Sequence, residues 1–446
     1  MMELLGLLPG FGSLIWTVLA FVVALSIIVF VHEYGHYIVG RWSGIHAEVF
    51  SVGFGPVLLS RYDKRGTRWQ IAALPFGGYV KFLGDADAAS GKDGEAISGL
   101  SAAERRRTMH GAPLWARAAT VAAGPAFNFI LAMVIFTGTV LWQGVATNDP
   151  IVGSVDPLPN VAQPLMAGDR ILSIDGKKTD TLADVFKVAD ELSPATAITY
   201  QVNRAGQVID IAGPFPFPAL VKAVQPQTAA YDAGIQTGDV VTAINGIPVQ
   251  AFSQLREIVG GSNGAEVTLQ LWRAGAQVET KLTPRRMDLP RPDGSFETRW
   301  LIGLSGGLAF MPETRQPSPI EAVGIAGAQI VMLVKTSLSG LWHMVTGAIS
   351  SCNLQGPLGI AETSGAAASQ GAQSFIWFLA VLSVAVGLMN LFPVPVLDGG
   401  HLVFFAYEAV TGKPPSEKAL GRLMQVGLAL LLTMMVFALT NDIFCP

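Results

Sequence analysis

Charge is scarce in this chain. Of its 446 residues only 14% are charged and 50% are hydrophobic, whereas a soluble globular domain carries about a quarter charged residues. A wholly soluble fold is therefore excluded, and so are disorder, collagen and coiled coils, which need high charge or a compositional repeat. The formal net charge of −4 provides no basic footprint, so no nucleic-acid partner is expected. Cysteine is nearly missing: Cys352 and Cys445 alone build neither a disulfide framework nor a four-cysteine zinc site. What remains is a membrane protein with a substantial water-exposed part.

Four stretches lack charge for long enough to span a bilayer, which takes about 20 apolar helical residues. They are Leu4–Val31 (core Ile15–Val31), Ala118–Asn148, Thr363–Leu397 (most apolar from Phe375 to Phe392) and Leu423–Asn441. The first has no basic flank and no cleavage site and runs into His32, so it is expected to stay as a span rather than act as a signal peptide. No Lys or Arg precedes the first span or follows the fourth, whereas the 41–117 segment holds eleven, among them Arg105, Arg106 and Arg107. By the positive-inside rule both termini then lie outside the cytoplasm, with the long stretch after the second span. Ile320–Ile349 is moderately apolar but carries Lys335 and His343, and reads as an amphipathic helix on the outer membrane surface.

Residues 151–284 contain a duplication. Ala167-Gly-Asp-Arg-Ile-Leu-Ser-Ile-Asp-Gly176 aligns with Thr237-Gly-Asp-Val-Val-Thr-Ala-Ile-Asn-Gly246 at an offset of 70. In each copy a Gly-Asp turn, an alternating strand and an Asp-Gly or Asn-Gly hairpin turn precede a short amphipathic helix and a strand ending in Arg-Ala-Gly. The pattern resembles PDZ domains of the bacterial protease-associated type. That resemblance implies binding of extended peptides at a sheet edge, with a purely structural or filtering role as the other reading. Pro164 stands in the first copy where the second has Gly234.

His32-Glu33-Tyr34-Gly35-His36 closes the first span. Residues i and i+4 share a helix face, so both imidazoles reach one zinc ion while Glu33 serves as general base. Ionisable residues within a span mark function by default. A catalytic zinc needs a third protein ligand. The natural carboxylate is Asp398, after Asn390-Leu-Phe-Pro-Val-Pro-Val-Leu397, where two prolines break the helix and Gly399-Gly400 permits a tight turn. His401 is the rival. With four spans, His32 and Asp398 fall at one cytoplasmic level; a fifth span through 320–349 would separate them. His46, His110 and His343 have no sequence partner and read as surface or interfacial residues.

His32–His36 in a first span, Asn390-x-x-Pro-x-Pro-x-Leu-Asp398-Gly and an interposed PDZ-like pair resemble the site-2 protease family of intramembrane zinc metalloproteases, of the regulator of sigma-E protease (RseP) type. Ser51-Val-Gly-Phe-Gly-Pro56, Leu74-Pro-Phe-Gly-Gly-Tyr-Val-Lys81, Ala123-Gly-Pro-Ala-Phe-Asn128 and Gly356-Pro-Leu-Gly-Ile360 extend the likeness over essentially the whole chain.

The fold class this implies is a polytopic α-helical membrane protein. It has four transmembrane helices, a membrane-associated β-hairpin, and two tandem PDZ domains (α+β) between the second and third spans. The expected organisation is a first transmembrane helix (1–40), a cytoplasmic loop with a hairpin at Val57–Tyr62 and Thr67–Leu74 (41–112), and a second helix (113–144). PDZ domains at 145–213 and 214–285 follow, then a periplasmic linker with the amphipathic helix (286–370), a third helix (371–400), and a loop with the fourth helix (401–446).

The implied activity is zinc-dependent cleavage of transmembrane segments in pre-trimmed single-span proteins, such as an anti-sigma factor, with remnant signal peptides as further candidates. His32, His36 and Asp398 would bind Zn2+, Glu33 would be catalytic, and Asn390 would hold the unwound substrate backbone or cap its own helix. Gly124-Pro125 with Asn128 reads as a packing and kink device. The expected location is the bacterial inner membrane, with the lipid bilayer and peptide ligands of the PDZ domains as further partners, and with termini and PDZ domains periplasmic.

Overall fold

The computed structural model describes residues 11–85, 99–159, 164–291 and 295–445; the first ten residues of the expected 1–40 segment lie outside them. Two compact units result: Met1–Gly138 with Val323–Leu341 and Leu354–Cys445, and Thr139–Ala322 with Trp342–Asn353 and Pro446.

The first unit opens with helix α1 (Phe11–Trp42). At 1.5 Å per residue its 32 residues span about 48 Å, longer than the roughly 30 Å hydrocarbon core of a bilayer. Leu14, Trp16, Leu19 and Phe30 are exposed on it, as lipid-facing positions would be. Strands β1 (Ala47–Tyr62) and β2 (Arg68–Phe82) follow. They are longer than the hairpin expected at 57–74, because both strands bend and pair twice. Phe50 faces Trp69 on one side and Val80 on the other, while Arg61 pairs with Trp69. Two bent strands thus make a four-stranded antiparallel layer whose far edge is 79–82. The bends come at Gly53 and Gly77, both with left-handed φ (91° and 137°) that other residues rarely adopt. Helix α2 (Leu114–Gln143) carries Pro125 inside it.

In the second unit the duplication is visible residue by residue. β3 (Arg170–Ile174), β4 (Lys177–Lys178), helix α3 (Leu182–Glu191), β5 (Ile198–Arg204) and β6 (Gln207–Gly213) form a sheet of order β4-β3-β5-β6. β7 (Val240–Ile244), β8 (Ile247–Pro248), α4 (Phe252–Gly261), β9 (Val267–Arg273) and β10 (Ala276–Leu282) repeat it as β8-β7-β9-β10. Asp175-Gly176 and Asn245-Gly246 both have positive φ at the two central positions, the signature of a type I′ hairpin turn.

A buried carboxylate recurs as well. Asp169 and Asp239 each sit opposite an arginine, Arg204 and Arg273, at 2.7 Å. The second nitrogen of each arginine donates to a backbone carbonyl, of Pro164 in one copy and Gly234 in the other. The Pro-for-Gly difference therefore leaves this contact intact, since only the carbonyl is used. Burial pushes the Asp169 carboxyl up, but hydrogen bonds from Arg204 and the Met166 N–H outweigh it and hold it below the ordinary carboxylate range. The sign follows: its contribution is complete above the unfolded value near 3.9 and is lost as pH falls through the lower native value. Asp169→Ala should cost this repeat about 2–3 kcal/mol at neutral pH, read as protease susceptibility of the intact chain, and the difference from wild type should shrink toward pH 2.

The remaining long helices are α5 (Pro319–Val345), α6 (Pro357–Ser369), α7 (Ala372–Asn390), α8 (Asp398–Thr411) and α9 (Glu417–Phe444). The uncharged stretch 363–397 is thus not one helix. Gly371, with φ 112°, separates α6 from α7. Asp442 of α9 accepts from the Gly356 and Leu358 N–H groups, at 2.7 and 3.0 Å, tying the positive end of α6 to the last helix.

Five described helices are long and apolar enough to cross a membrane, the extra one being α5. Its Ala326 and Ile330 pack with Ala132 and Phe136 of α2 and Ala380 and Val384 of α7, so its apolar side is engaged by protein rather than by a membrane surface alone. Neither cysteine is a free thiol.

Candidate metal centre

His32 and His36 lie on successive turns of α1, and Asp398 is the first residue of α8. Their ligand atoms all fall within 4.8 Å of one another, the one such group found among the described residues. His32 Nε2 is 3.2 Å from His36 Nε2; Asp398 Oδ2 is 3.1 Å from the former, and Oδ1 is 3.5 Å from the latter. Bonds of about 2.0–2.1 Å at a tetrahedral angle place donor atoms about 3.3 Å apart. The triangle matches.

The surroundings make these atoms lone-pair donors. His36 Nδ1 lies 2.8 Å from the Thr120 carbonyl, which can only accept, so the ring proton sits on Nδ1 and Nε2 is free. Asn128 Nδ2 lies 3.2 Å from His32 Nδ1 while its Oδ1 is buried without a partner; turning the amide by half a turn sets the oxygen on the ring N–H and fixes the same tautomer. Asp398 Oδ2 is buried with no hydrogen-bond donor. Three lone pairs facing one another repel unless a cation stands between them, so the residues present fit a zinc ion.

Close approach of α1 to α2 permits this. A Cβ on Gly35 would overlap the Ala123 carbonyl, and one on Gly124 would overlap His36 Nε2 and stand 2.8 Å from His32 Nε2. Small residues let backbones meet in this way. Asp398 is delivered by the loop after α7, where Pro393 and Pro395 prevent the helix from continuing. Gly399 and Gly400 do not form the tight turn expected of them. They lie in the first helical turn of α8, where a Cβ would strike the Leu391, Phe392 and Val394 carbonyls. At the far end of α8, Glu408 accepts two hydrogen bonds from Arg117 of α2, at 3.0 and 2.5 Å.

Glu33 points from α1 toward the edge of the β-layer, with the Val80 backbone within electrostatic reach. Gly78 makes room for it: a Cβ there would lie 3.3 Å from Glu33 Cγ and 3.0 Å from Val29 Cγ1. A carboxylate beside a group that could hold a metal is the arrangement that peptide-bond hydrolysis would require.

Asn390 is not brought to the triad by any described contact; its Nδ2 donates to the Val386 carbonyl of its own helix at 3.1 Å. His401 stands one turn beyond Asp398, edge-on to Phe404, outside the ligand group. His110, expected without a partner, lies 3.4 Å from the buried Asp85 carboxylate.

Gly124 acts in packing, as expected, since a Cβ there would meet both imidazoles. Asn128 does more than pack: it meets His32 as Thr120 meets His36, and no spacing rule marks either, because they sit on another helix. Asn128→Ala should weaken zinc binding about 10- to 100-fold, measured by competition with a chelator, with helix content unchanged.

A His-His-Asp group that could hold a metal ion, with a carboxylate nearby and apolar helices around it, is what a membrane-embedded zinc metalloprotease would require. The chain belongs to peptidase family M50, whose model matches residues 20–434. It is 36% identical over 437 residues to a protein described as a zinc metalloprotease in Agrobacterium fabrum, covering 97% of each chain. A counterpart in Brucella suis is 34% identical over 446 residues, covering the whole of both. The regulator of sigma-E protease RseP of Salmonella typhimurium is 32% identical over 461 aligned positions, which cover 96% of this chain and 99% of that one.

Proposed function

We propose that this zinc metalloprotease cleaves peptide bonds within transmembrane segments of single-span proteins. The observation that carries the reading is the position of the triad. His32 and His36 lie in the last third of a 32-residue apolar helix and meet a carboxylate from a second apolar segment. His32, His36 and Asp398 would hold the zinc, which supplies Lewis-acid activation of water and of the scissile carbonyl when bound. Glu33 takes the proton from the attacking water and passes it to the leaving amine. Thr120 and Asn128 hold the imidazoles in the ligating tautomer.

A helical substrate shields its peptide bonds, so it must be drawn out before attack. The 79–82 edge beside Glu33 offers backbone groups to an extended strand, and Asn390 would meet the unwound segment once released from Val386.

Four membrane crossings are assigned, to α1, α2, α7 and α9. α5, which carries Lys335 and His343 within it, is not assigned as a crossing. The charge bias then places both termini and the repeats outside the cytoplasm, and the absence of free thiols accords with an oxidising compartment. In a bacterium that is the periplasmic side of the inner membrane. The two repeats are assigned as PDZ domains, supported by their like strand order and capping helices, and would bind or exclude the outer parts of substrates. By the resemblance to the site-2 protease family, an anti-sigma factor is the proposed substrate class, with remnant signal peptides as a second.

The test is metal content together with cleavage. Purified protein should hold one zinc per chain and cut a tagged single-span substrate in detergent. Asp398→Ala and chelation should each abolish both. Full zinc content in Asp398→Ala would move the third ligand elsewhere, to His401 first.

A further inference from the structure

A cationic cavity of about 270 Å3 lies at the end of α1, lined by Arg41, His46, Arg65, Thr67 and Arg107. Its residues come from the last turn of α1, the start of β1, the turn between the strands, and the end of the short helix Ala102–Arg106.

The floor is built in advance. Arg41 donates to the Tyr37 hydroxyl and, at 3.4 Å, to Asp63. Asp63 also accepts from Tyr37 at 3.0 Å and from the Arg65 and Thr67 N–H groups at 2.8 and 3.0 Å. Its charge is therefore spent on the turn. Of the other nearby carboxylates, Glu48 pairs with Lys81 at 3.6 Å, and Glu104 is hydrogen-bonded to Ser101 within electrostatic reach of Arg107. Arg65 and Arg107 have no ion pair among the described residues, and two guanidinium groups are left facing one cavity. Burial and the Arg107 guanidinium hold His46 below its ordinary range, and its ring offers an N–H to the cavity in either protonation state.

Guanidinium groups around a small cavity match a phosphate oxyanion, which they grip bidentately. The rim shows where that phosphate comes from. Trp42, 75% exposed, follows Arg41 at the end of the apolar helix, the place an interfacial tryptophan occupies. Leu58, Leu59 and Tyr62 of β1, each more than 60% exposed, precede the Asp63–Gly66 turn that supplies Arg65. An oxyanion site flanked by apolar surface suits an amphiphile better than a soluble anion.

We propose that this cavity binds the headgroup phosphate of an anionic phospholipid from the leaflet at the Trp42 end of α1. The bound lipid would fix the base of the β-layer, and with it the strand edge that holds Glu33. The proposal rests on the membrane placement of α1 given above, but its readout is lipid binding, not proteolysis, so the two fail separately.

Full-length protein in detergent would be titrated with short-chain phosphatidylglycerol, short-chain phosphatidylcholine and inorganic phosphate, with bound ligand counted by native mass spectrometry. The R65A/R107A variant would be compared with R105A/R106A, which removes equal charge from outside the cavity. The expected result is a loss of about tenfold in phosphatidylglycerol affinity for R65A/R107A only, with zinc content of both variants unchanged. Equal losses in the two variants would reduce the effect to diffuse surface charge and overturn the site. Phosphatidylcholine binding as tightly as phosphatidylglycerol would overturn the anionic selectivity. Inorganic phosphate binding as tightly as phosphatidylglycerol would make the ligand a soluble anion and overturn the lipid assignment.

Discussion

Glu33→Gln should retain a full complement of zinc and lose turnover by about 10²- to 10⁴-fold, the range typical for removal of a general base. The amide keeps the size of the carboxylate and can still contact the strand edge at Val80, but it cannot take a proton. Zinc content and cleavage rate are therefore expected to separate in this variant. In Asp398→Ala they should fall together. Substantial cleavage by Glu33→Gln would assign the proton transfer to another group, and none of the described contacts places one in the ligand triangle.

The second large effect concerns a residue with no chemistry of its own. Replacing glycine by alanine inside a helix ordinarily stabilises it by about 0.5–1 kcal/mol. At Gly124 the added methyl would overlap His36 Nε2 and crowd His32 Nε2, so the imidazoles must turn or the two helices must part. Gly124→Ala should thus lower zinc affinity at least 100-fold while raising helix propensity. The matched control is Gly421→Ala in α9, where an added Cβ meets nothing within 4 Å, and zinc binding should be untouched. The comparison isolates the steric effect, because both substitutions share the same helix-propensity gain. Chelator competition on the two purified variants checks it.

Much of the centre was legible in the sequence because its chemistry is local. His32, Glu33 and His36 declare themselves by helical spacing within an uncharged run. Asp398 follows from the proline break and from the need for a ligand at the same level. Residues that act across helices were harder to read. Asn128 and Thr120 reach the imidazoles from α2, 84 to 96 positions away, and nothing in their own segment distinguishes them from packing residues. Gly399 and Gly400 were recognised as special for the wrong reason: they are needed for close approach, not for a turn. The doubled pairing of β1 and β2 was also hidden, because one strand serving two partners leaves no simple alternation. In α5 and in the stretch 363–397, hydropathy indicated apolar surface but not what covers it or where Gly371 would divide it. The repeats, by contrast, were readable throughout, since each turn carries its own Asp-Gly or Asn-Gly signal and the Asp–Arg pair recurs with it.

The most direct test of the central claim is the position of the cut. A single-span substrate reconstituted with the enzyme in liposomes, and its products sequenced by mass spectrometry, should show scission inside the apolar segment, absent with Glu33→Gln and under chelation. Scission confined to the water-exposed flanks, with the apolar segment left intact, would contradict an intramembrane protease and make this a surface peptidase anchored by its helices.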